Sequence, residues 1–97
     1  MAAALFSGTA VIGTTSGVAV QLRSTANTVK WFTVVASPLN LSYLKVGPST
    51  VTDADTAATD GYMLGPGKSV TLGACETDDV WINGKAGDRA YFVAGTS

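Results

Sequence analysis

The side chains best suited to acid–base or nucleophilic chemistry are seven carboxylates, Asp53, Asp55, Asp60, Glu76, Asp78, Asp79 and Asp88, and one thiol, Cys75. Histidine is absent. That removes the commonest general base and the usual partner of a Ser or Cys nucleophile, so no Ser-His-Asp or Cys-His arrangement can be built within one chain. The carboxylates all fall in segments that read as loops, where solvated acids normally sit, and a working acid–base pair needs burial or charged partners to tune it. No catalytic residue is expected, and the chain is expected not to be an enzyme.

Metal and cofactor chemistry fares no better. With one cysteine and no histidine there is no thiolate or imidazole cage. Asp53-Ala-Asp55 with Asp60, and Glu76-Thr-Asp78-Asp79, offer hard oxygens, but neither follows the calcium-loop spacing that places glycine sixth and glutamate twelfth. Gly65-Pro-Gly-Lys-Ser69 has the letters of a phosphate loop without its four-residue gap, and Val70-Thr-Leu72 after it reads as strand where that motif needs a helix. No metal and no cofactor are expected. The six basic residues, Arg23, Lys30, Lys45, Lys68, Lys85 and Arg89, are scattered and the net charge is −1, which leaves no footprint for nucleic acid or anionic lipid.

The elements that must carry these side chains are short. Nearly every apolar run is rich in Val, Thr and aromatics and is bounded by Gly, Pro, Ser or Asn, the signature of strands and turns. Residues 5–12 read as a first strand. Val18, Val20 and Leu22 alternate with smaller or polar residues as a half-buried strand. Residues 29–36 read as a central strand, with Trp31 and Val35 on one face and Phe32 and Val34 on the other. Residues 39–46 read as the next strand, and Val51 as a short one after it.

Residues 53–60 read as a polar loop, and 61–64 as a brief apolar return. Gly65-Pro-Gly67 reads as a tight turn before a strand with Val70 and Leu72 inward. Val80 and Ile82 share a face of a strand that a hairpin through residues 83–88 joins to residues 89–93. Seven to nine short antiparallel strands in 97 residues predict an all-β fold, a single small β-sandwich or jelly-roll-like domain. Residues 1–12 form an N-terminal strand or arm, and 13–97 the sandwich.

A domain this small has a thin core and usually borrows stability from disulfides, metals or assembly. Only assembly is open to this chain. Charged residues make up 13% of it against about 25% in an average soluble domain, and apolar residues 46%, so part of its surface is expected to be covered by copies of itself or another protein. Cys75 reads as a buried or loop thiol, with a bridge between chains as the alternative. Trp31 and Trp81 read as core or oligomer contacts, and Asn40-Leu-Ser42 as a chance match to a glycosylation acceptor. The opening Met-Ala-Ala-Ala-Leu-Phe has neither a basic region nor a full apolar one, and no run approaches a membrane span, so a soluble protein made in a cytoplasm is expected.

In its second half the chain orders Val46-Gly-Pro-Ser-Thr-Val51, then Gly61-Tyr-Met-Leu-Gly-Pro-Gly-Lys-Ser-Val-Thr-Leu72, then Val80-Trp-Ile-Asn-Gly-Lys-Ala-Gly-Asp-Arg-Ala-Tyr-Phe92. This resembles a small β-sandwich of tailed-bacteriophage structural proteins, in which a strand ending in Val-Gly, a Leu-x-Pro-Gly turn and a final Gly-Asp hairpin recur. The resemblance takes in residues 18–36 as well. It implies a virion component, a capsid decoration or cement protein or the base of a head fibre. Such a protein would be a homo-oligomer, a trimer above all, on the major capsid protein or another virion protein, with Leu5, Phe6, Val11 and Ile12 of the arm and Trp81 as contact residues. A tail- or fibre-associated module binding host carbohydrate through Trp81, Trp31 or Tyr62 is the alternative. A cupin-like enzyme would need the metal-binding histidines that the chain lacks.

Overall fold

The computed structural model describes residues 4–12, 17–52 and 61–97. The turn expected at 13–17, apart from Gly17, and the loop expected over 53–60, with Asp53, Asp55 and Asp60, lie outside the described residues. The fold is all-β, as the alternating pattern predicts. Among the described residues there are ten strands: β1 (Leu5–Val11), β2 (Val20–Gln21), β3 (Thr28–Val29), β4 (Trp31–Ala36), β5 (Leu44–Gly47), β6 (Tyr62–Leu64), β7 (Ser69–Leu72), β8 (Cys75–Glu76), β9 (Trp81–Asn83) and β10 (Arg89–Gly95). One four-stranded antiparallel sheet runs β1-β10-β4-β7, a second runs β2-β9-β5-β6, and β3 pairs with β8 in a small ribbon.

The two larger sheets pack their apolar faces together, as period-two alternation demands. From the first sheet come Ala10, Phe32, Val34, Ala36, Ala90, Phe92 and Ala94, and from the second Leu44, Val46, Leu64 and Ile82, all buried. Phe32 and Phe92 stack at the centre with ring centroids 5.1 Å apart. The Phe92 ring takes up the space beside Gly8: a Cβ there would stand 2.7 Å from Phe92 Cε1. Glycine in the middle of β1 is therefore a packing requirement, set by the bulk of the neighbouring strand.

Four expectations are corrected. The strand expected at 39–46 begins only at Leu44. Residues 38–43 form a turn segment, because the backbone is drawn away from the sheets to meet Asp88, Arg89 and Ser37. The hairpin expected through 83–88 is a crossover instead, since β9 belongs to one sheet and β10 to the other. Val18 lies outside β2 and is exposed, while Val51 is buried without forming a strand. The segment read as a strand or arm, residues 5–11, is here an edge strand of the domain's own sheet, paired with β10 along its full length.

Candidate interaction surface

The outer face of the β1-β10-β4-β7 sheet is built from the strand positions that alternate with the core. Its cross-strand rows run Leu5–Gly95–Trp31, then Ser7–Val93–Thr33–Thr71, then Thr9–Tyr91–Val35–Ser69, and end at Val11–Arg89. Arg89 is the single charge in those rows. An exposed sheet face is ordinarily studded with Lys and Glu; this one is hydroxyls, β-branched side chains and aromatics. The Thr33 and Thr71 hydroxyls bond to each other at 2.9 Å, which ties β4 to β7 across the middle of the face. At one end the Trp31 indole lies against Gly95, where a Cβ would stand 2.7 Å from the ring, and its Nε1–H donates to the Ser97 carbonyl at 3.1 Å.

Beyond the Val11–Arg89 end stands the 38–43 turn, which sequence reasoning took for strand. It is held from beneath by buried polar groups. Asp88, 3% exposed, accepts the N–H of Leu41 at 2.9 Å on Oδ1 and that of Ser42 at 3.1 Å on Oδ2. Asn40, also buried, donates its side-chain amide to the Arg89 carbonyl at 2.9 Å and accepts the Arg89 N–H at 2.8 Å. Asp88 is thus a structural acid and departs from the expectation of a solvated loop carboxylate. The fixed turn presents Leu39, 87% exposed, and Leu41, 79% exposed, to solvent, with Tyr43 exposed beside Gly65.

The predicted contact residues divide. Leu5 (70% exposed) and Val11 lie on the outer face, and Phe6 points into the sandwich edge beneath the Arg23 guanidinium, 4.6 Å from the ring centroid. Ile12 is buried in the core and is corrected from contact residue to core residue: its N–H and C=O tie the end of β1 to Asp88 and Gly87, which draws the side chain inward. Trp81 is half-buried on the other sheet, opposite Gln21 and Gly47, away from the rows above. Leu39 and Leu41, exposed on the turn, are not among the residues that the sequence singled out. The signal was legible as Pro38 followed by alternating Leu-Asn-Leu-Ser, but alternation there reports an anchored turn with Asn40 inward.

Nothing among the described residues gathers three metal-ligating side chains. Glu76 accepts from the Thr28 hydroxyl, and Asp78 and Asp79 lie in a short 3₁₀ turn whose Thr77 is fully buried and bonded to Thr25 and Asn27. Cys75 is half-buried, and burial, with Asp79 and Glu76 nearby, pushes its thiol above the usual range. Comparison with protein-family models, with curated proteins and with solved structures finds no match.

Proposed function

We propose that the chain is a virion structural protein, a capsid decoration protein that stabilises contacts between capsid subunits through its outer sheet face and the 38–43 turn. The observation that carries the reading is the nearly uncharged outer face, continuous at its Arg89 end with a braced turn that exposes two leucines. Four strands at about 4.8 Å spacing and seven residues at about 3.3 Å rise give a face of roughly 400 Å². A stable interface needs about 800 Å² from each partner, so the face and the turn have to act together or with a further surface. The resemblance to tailed-phage sandwiches names the partner class as a major capsid protein or another virion protein.

The test is particle composition and stability. Phage particles assembled with and without the gene are expected to differ in carrying the protein at a stoichiometry set by the capsid lattice, and in opening at a lower temperature without it. Particles that never contain it, or whose opening temperature is unchanged by its loss, overturn the reading. A second reading, a tail- or fibre-associated carbohydrate-binding module, draws on Tyr43 and Tyr62, both exposed and able to stack on sugar rings. Glycan binding that disappears in Tyr43→Ala and Tyr62→Ala would favour it over decoration, and the absence of glycan binding by the full chain would remove it.

A further inference from the structure

We infer that the free edge of β1 is a homodimer interface, at which two copies join antiparallel about a two-fold axis passing beside Gly8 and merge their four-stranded sheets into one of eight. The inference concerns the chain alone and does not depend on where the protein works.

The edges of the two main sheets are not alike. β2 and β6 are two and three residues long, and β7 is four residues long and enters behind Lys68. Short edges and edge lysines are the ordinary protections against strand addition. β1 is seven residues long, Leu-Phe-Ser-Gly-Thr-Ala-Val, with no charge and no proline, and among the described residues no strand pairs with its outer side. Its even-numbered residues bond to β10, as the flanking Thr96 N–H to Ala4 carbonyl and Ile12 N–H to Asp88 carbonyl bonds show. The N–H and C=O groups of Leu5, Ser7, Thr9 and Val11 therefore point to the open side.

The sequence of β1 is chemically palindromic about Gly8. In the two-fold register Leu5 meets Val11 of the second copy and Ser7 meets Thr9, while on the core side Phe6 meets Ala10 and Gly8 meets Gly8. Apolar side chains face apolar, hydroxyl faces hydroxyl, and the large ring faces the smallest side chain. All four outward-pointing residues fall in hydrogen-bonded pairs, giving about eight backbone bonds across the axis. A shift by one residue would oppose outward groups to inward ones and lose the ladder. An isologous contact requires this kind of self-complementarity, which a three-fold arrangement would leave unused.

The test is sedimentation velocity of the full chain at about 100 μM, above the micromolar constants of weak interfaces. Wild type is expected at twice the 9.8 kDa of one chain. Thr9→Pro removes an outward N–H and no bond to β10, and is expected to weaken dimerisation at least tenfold with an unchanged circular-dichroism spectrum. Two charge variants fix the register: S7K/T9K and S7E/T9E are each expected to be monomeric alone and to form a one-to-one dimer when mixed, since like charges oppose in each and unlike charges in the mixture. A wild-type monomer or trimer, a dimer that survives Thr9→Pro, or charge variants that fail to combine would each overturn the assignment.

Discussion

Replacing Asp88 by alanine would remove the acceptor that holds the 38–43 turn in place. The carboxylate is 3% exposed and takes two backbone N–H bonds, at 2.9 Å from Leu41 and 3.1 Å from Ser42. A hydrogen bond to a charged group contributes about 1.5–3 kcal/mol, so two give roughly 3–6 kcal/mol at face value. Water can reach Leu41 and Ser42, which are exposed, and satisfies their amides once the turn loosens, so about 3 kcal/mol is the expected loss. For a domain of 97 residues this is a fall of roughly 12–20 °C in Tm. Asp88→Asn keeps one acceptor but points an amide N–H group at the other donor, and is expected to lose about half to all of that amount. Urea and thermal unfolding followed by circular dichroism measure both. A loss below about 0.5 kcal/mol for Asp88→Ala, the range of ordinary surface substitutions, would refute the reasoning that this acid braces the turn.

Other perturbations separate packing from display. Gly8→Ala drives a methyl to within 2.7 Å of the Phe92 ring and is expected to cost about 1–3 kcal/mol by overpacking, read by urea unfolding. The double change Leu39→Ser and Leu41→Ser is expected to leave stability within about 0.5 kcal/mol, because both side chains are in solvent, while lowering binding to capsids at least tenfold in co-sedimentation. Alkylation of Cys75 by iodoacetamide in the folded protein is expected to have its pH midpoint above that of the unfolded chain. Because the folded thiol holds its proton more tightly, stability falls as pH rises through the interval between the unfolded and folded values, and Cys75→Ser removes that slope.

The period of the side chains carried the architecture, and its limits are instructive. Phe32 and Val34 against Trp31 and Val35 read correctly as the two faces of a central strand, since β4 does lie between β10 and β7. The same rule failed at Leu39 to Tyr43, where alternation arises from a turn pinned at Asn40 by Arg89. Local pattern cannot see a partner 49 residues away. Asp88 was misread for the same reason, as its ligands come from residues 41 and 42. The crossover from β9 to β10 was invisible because a five-residue connection, 84–88, suits a hairpin as well as a change of sheet. Of the surface, Leu5 and Val11 were expected as contacts together with Phe6 and Ile12, which turn inward, and the pooling of four strands into one uncharged face depends on sheet order, which no single stretch of sequence encodes.

The pairing of β1 with β10 also settles how the chain enters and leaves the domain. Ala4 and Thr96 are hydrogen-bonded neighbours, with the Ala4 amide 2.9 Å from the Thr96 Oγ1. A polypeptide that passes in at position 4 and out at position 96 does so through a single doorway. The whole sandwich could therefore be spliced into a surface loop of another protein as a guest, the host's two cut ends meeting it side by side, without either partner having to stretch.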